Sequence, residues 1–64
     1  MKDTKLTSVK ILEALYHRFK ISTGNTNMTL QKITNRSEDR FLNDNQFREE
    51  IESYDYLSIS GSNF

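Results

Sequence analysis

Cysteine is absent from the 64 residues and histidine occurs once. Without a thiol there is no disulfide and no thiolate nucleophile, and a single imidazole cannot complete a zinc site of the Cys/His kind. No apolar run approaches the roughly 20 residues of a membrane span. The opening Met1-Lys2-Asp3-Thr4-Lys5-Leu6 also lacks the apolar core of a signal peptide. These absences leave the expectation of an intracellular chain, in cytoplasm or nucleus, held together by packing alone. A chain this short is one domain spanning 1–64, because folds of this length bury only about 60% of their unfolded surface and are marginally stable.

Catalytic equipment is equally thin. His17 stands one turn after Glu13, a spacing that permits a surface hydrogen bond but supplies no triad. Gly24 and Gly61 lie at turns rather than in a phosphate-cradling loop. No enzyme activity, metal, cofactor or small-molecule substrate is therefore expected.

The apolar residues that are present follow helical spacing. Leu6, Val9, Leu12, Leu15 or Tyr16, and Phe19 recur every three or four positions, which predicts a first helix from Thr4 or Thr7 to Ile21. Ser22-Thr23-Gly24-Asn25 ends it, with Gly24 suited to a left-handed cap. Thr29 reads as the N-cap of a short second helix over 29–36, with Met28 and Ile33 placed as a hydrophobic staple. Asn35 to Arg40 carries no apolar side chain and reads as a turn or frayed extension. A third helix over 43–54 follows, with Asn43 as N-cap, Gln46 completing a capping box and Leu42 and Phe47 forming a second staple. Its core face is Phe47, Ile51 and Tyr54. After Asp55 the period changes to two through Tyr56-Leu57-Ser58-Ile59-Ser60, a strand pattern expected to lie beside Met28-Thr29. Ser60-Gly61-Ser62-Asn63 is a hairpin-turn signal. Phe64 would open the return strand, so the wing is minimal or the chain is a piece of something longer.

Helix, short strand, helix, turn, helix and strand in this order define an α+β reading, a small winged helix-turn-helix of three helices with a minimal or truncated β-wing. Met28-Thr29-Leu30-Gln31-Lys32-Ile33, the polar turn Ser37-Glu38-Asp39-Arg40, and Gln46-Phe47-Arg48-Glu49-Glu50-Ile51 leading into Leu57-Ser58-Ile59-Ser60-Gly61 resemble the winged-helix superfamily. Within it, they are similar to the C-terminal winged domains of minichromosome-maintenance replicative helicases. The resemblance implies a regulatory or adaptor module in replication or transcription that touches DNA, a partner protein or both.

Charge decides between those contacts. Residues 1–40 hold eight cations and four anions, a net +4, and residues 41–64 hold one cation and five anions, a net −4. In a winged helix the outward face of the third helix enters the major groove. That face would be Asn45, Arg48, Glu49 and Glu52, where two carboxylates beside the base-reading Asn45 and Arg48 would meet phosphate. Residues 49–64 contain no lysine or arginine to offset them. The expectation is a non-catalytic interaction module that contacts a protein partner through Asn45, Arg48, Glu49, Glu52 and an exposed Tyr56. Weak DNA contact would fall to Lys32, Arg36 and Arg40, which share one face if a continuous helix carries them. A small phage- or plasmid-type sequence-specific DNA-binding regulator is the alternative.

Overall fold

A computed structural model describes residues 3–64, and three helices carry these described residues. The first, α1 (Glu13–Ser22), is shorter than the sequence pattern suggests. Its first hydrogen bond runs from the Tyr16 N–H to the Leu12 carbonyl at 2.9 Å, and residues 3–12 have no regular structure. Thr4, Thr7, Val9 and Ile11 explain part of the difference, because β-branched side chains lose rotamer freedom in a helix. The rest follows from packing: an apolar stripe stabilises a helix only when something covers it. Here Leu6 is fully exposed and Val9 is 75% exposed.

The end of α1 also departs from the glycine cap. Thr23 takes that position with φ −104°, its N–H and its hydroxyl both donating to the Phe19 carbonyl, at 3.0 and 2.8 Å. Gly24 follows without a left-handed backbone; among the described residues positive φ belongs to Gly61 alone.

The second helix, α2 (Leu30–Asn43), begins where Thr29 predicts, its hydroxyl accepting from the Lys32 N–H at 3.1 Å. It does not stop at 36. The polar run 35–40 is helical, since no glycine or proline interrupts it and amide side chains at its start and just beyond its end bond back to the backbone. Asn35 Nδ2 donates to the Gln31 carbonyl at 2.8 Å, and Asn43 Nδ2 donates to the Asp39 carbonyl at 2.8 Å. Asn43 is thus the last residue of α2 rather than the cap of the next helix. The third helix, α3 (Asn45–Glu52), is capped by Asp44, whose Oδ1 accepts from the N–H groups of Gln46 and Phe47 at 3.0 and 3.2 Å. One residue separates the two helices, which form the one packed helix pair among the described residues.

No strand forms among the described residues, so the chain is all-helical and the α+β winged reading is corrected. A lone strand over 56–60 would leave its backbone groups unpaired. Both expected partners are unavailable: the Met28 N–H is taken by the Thr26 hydroxyl at 3.2 Å, and Thr29 is committed to its cap. The tail instead closes on itself. Gly61 N–H donates to the Leu57 carbonyl at 2.6 Å and Leu57 N–H to the Ser62 carbonyl at 3.1 Å, with Gly61 at φ 66°. A Cβ on Gly61 would sit 2.9 Å from the Tyr56 hydroxyl oxygen, so both the backbone and the close ring demand glycine here.

No described residue is buried. The accessible surface is 6286 Å², where a globular chain of this mass exposes about 4,300 Å². The radius of gyration is 13.3 Å, against about 10.7 Å for a compact chain of this length.

Candidate interaction surface

The α2–α3 pair is organised around two phenylalanines and two arginines. Phe41 lies on the last turn of α2 and Phe47 on the first turn of α3, both half-buried. The Arg40 guanidinium stands 4.7 Å from the centre of the Phe47 ring, and that of Arg48 stands 4.8 Å from the centre of the Phe41 ring. Each helix therefore lays a cation on the other's aromatic face, an attraction of about 0.5–1 kcal/mol at exposed sites.

Arg40 has a second role, its Nε lying 3.3 Å from Asp44 Oδ2. The Asp44 carboxyl is held below its ordinary value of 3.8. The largest cause is the hydrogen bond from the Phe47 N–H; partial loss of water opposes it, and Arg40 and the Gln46 N–H add to the lowering.

Beside these pairs the two helices frame an open apolar cleft of about 360 Å³, lined by Ser37, Glu38, Phe41, Leu42, Phe47 and Ile51. Leu42 is 71% and Ile51 45% exposed. Ile51 and Tyr54, expected to face a core, face solvent because α3 ends at Glu52 and no third element lies over it. A second open groove, on α1, is lined by Glu13, Ala14, Tyr16, His17 and Lys20. It places no second titratable imidazole beside His17.

The residues singled out for partner contact divide. Asn45, Glu49 and Glu52 are exposed on α3. Arg48 belongs to the same helix but is engaged with Phe41, and Tyr56 lies beyond α3 with its ring over Gly61 while remaining 74% exposed. Lys32, Arg36 and Arg40 share one continuous helix at intervals of four, so they do line up. Two of the three are occupied, however. Lys32 Nζ donates to the Asn27 carbonyl at 2.9 Å and Arg40 serves Asp44 and Phe47, while Arg36 enters no ion pair among the described residues.

The apolar cleft was missed at the sequence level. Its signal was Phe41-Leu42 followed by Phe47 and Ile51, which were divided between a staple and the core face of the third helix because Asn35 to Arg40 looked like a turn.

Among the described residues there is no group of three potential metal-binding side chains, and no helix is long and apolar enough to cross a membrane. Comparison with family models, characterised proteins and solved structures finds no match for the chain.

Proposed function

We propose that this chain is a non-catalytic interaction module whose principal contact is a protein surface covering the α2–α3 cleft. One observation carries the reading: no described side chain is buried, while an open apolar cleft lies between the two packed helices. Exposed apolar area of this kind, rimmed by polar residues, marks an interaction site. Glu38 on the cleft lining, with Glu49 and Glu52 exposed on α3, favours a partner bearing complementary cations. The setting in replication or transcription rests on the segmental resemblance. Direct DNA binding is the second reading, supported by the alignment of Lys32, Arg36 and Arg40 along α2.

Titration of labelled duplex at two salt concentrations tests the choice. Wild type is expected to bind with a dissociation constant in the non-specific range of about 10⁻⁴–10⁻⁶ M, or more weakly, at physiological salt. Lys32/Arg36→Ala should remove the remaining affinity, and Glu49/Glu52→Lys should strengthen it by relieving repulsion. Arg40 is left intact because it holds Asp44 and covers Phe47. Nanomolar, sequence-selective binding that depends on Asn45 or Arg48 would replace the protein-contact reading with a direct DNA reader.

A further inference from the structure

We propose that the protein covering the cleft is a second copy of this chain, bound as a reciprocal antiparallel pair in which residues 6–21 of each copy lie over the α2–α3 cleft of the other. The inference rests on the protein-contact reading above and supplies its partner. Three observations converge on it.

Area comes first. The accessible surface of 6286 Å² exceeds that of a compact chain of this mass by about 2,000 Å². Two copies that cover this excess mutually would bury about 4,000 Å², inside the range of about 2,000–5,000 Å² for obligate homodimers. The excess is apolar in the places that matter, with Leu6 and Val9 unsupported on one half of the chain and Leu42 and Ile51 on the rim of the cleft in the other.

Charge gives the orientation. Residues 6–21 hold three cations and one anion, a net +2, and residues 30–52, which carry the cleft, hold four cations and six anions, a net −2. A two-fold axis makes the contact reciprocal, so an antiparallel arrangement places the basic 6–21 segment of each copy on the acidic α2–α3 unit of the other. Lys10, Arg18 and Lys20 on one side and Glu49, Glu50 and Glu52 on the other are all exposed and available for this match.

Local hydrogen bonding excludes the same match within one chain. The connection 23–29 is closed by its own bonds: the Thr23 hydroxyl to Phe19, the Thr26 hydroxyl to the Thr23 carbonyl at 3.1 Å, the Met28 N–H to the Thr26 hydroxyl, and Lys32 Nζ to Asn27. Held this way, α1 makes no contact with α2 or α3.

Complementary charge reversal tests the pairing by sedimentation of the full chain. Wild type is expected at twice the 7.6 kDa chain mass. Lys10/Arg18/Lys20→Glu and Glu49/Glu50/Glu52→Lys should each be monomeric when alone, with dissociation constants raised at least about tenfold. Their equimolar mixture should restore a one-to-one dimer, since each reversed half then meets an opposite one. Ile51→Arg, at an exposed position, should give monomer with helix content retained and so separates loss of contact from loss of folding. A wild type that stays monomeric to about 100 μM, reversal variants that dimerise alone, or a mixture that fails to restore the dimer each overturn the inference. A monomeric wild type with weak DNA binding would leave the protein-contact reading in place with another chain as occupant. Nanomolar DNA binding would remove that reading whatever the mass.

Discussion

Asp44 is the residue on which the helical hairpin turns. It ends α2 with φ −131° and ψ 102°, caps α3 through two N–H groups and accepts from Arg40. Alanine at 44 leaves the Gln46 and Phe47 N–H groups without their side-chain acceptor, so Asp44→Ala should cost more helix in far-ultraviolet circular dichroism than Asn43→Ala. The reverse order would return the cap to Asn43. Acid should act in the same direction. The folded chain binds the Asp44 proton less readily than the unfolded chain, so this stabilisation is fully present above the ordinary value of 3.8 and is lost as pH falls through the lowered folded value. An acid titration should therefore show helix loss that Asp44→Asn reduces. The sequence could not decide between the two neighbours, because Asn and Asp are equally good N-caps. What decides is Asn43 Nδ2 bonding back to Asp39, which keeps residue 43 in the preceding helix.

At the scale of the elements, each helix forms as far as its own caps and its neighbours support it. Thr29 was legible as a start because a hydroxyl three residues before a free N–H has one efficient use. The extents were less legible. The Asn35 and Asn43 amides stabilise α2 from within, a contribution that no apolar count registers, while the stripe from Leu6 to Leu12 promises a helix although Leu6 and Val9 lie exposed. Likewise, Tyr56 to Ser60 alternates like a strand but has no second edge to pair with. The energetic consequence falls on α3. Phe47 is half-buried beneath Arg40, so Phe47→Ala should destabilise the hairpin by about 2 kcal/mol, roughly half the usual cost of deleting a fully buried phenylalanine. Ile51→Ala should cost less than about 1 kcal/mol in the dissociated chain, because that side chain keeps much of its water contact. Helix content against denaturant at low protein concentration measures both. Equal losses would mean that Ile51 packs within the single chain.

For the whole molecule, association with a second copy would add stability that the single chain lacks. With no described residue buried, the single chain has little hydrophobic free energy to set against its conformational entropy, which amounts to roughly 1–2 kcal/mol per ordered residue for the backbone alone. Zero net charge removes the repulsion that keeps small domains apart, and the opposed +4 and −4 halves add attraction between copies. A fold completed by a second copy is stabilised by mass action, so its melting temperature must depend on concentration. Each tenfold dilution weakens the dimer by about 1.4 kcal/mol. Spread over the unfolding enthalpy of two chains this small, that should lower the melting temperature by about 5 °C. Thermal melts of wild type followed by circular dichroism over a hundredfold range of concentration would show the slope. The Ile51→Arg chain should show none, and should melt early and broadly at every concentration, since dilution has nothing left to take from it. A wild-type melt that is sharp and independent of concentration would mean that one copy completes its own core.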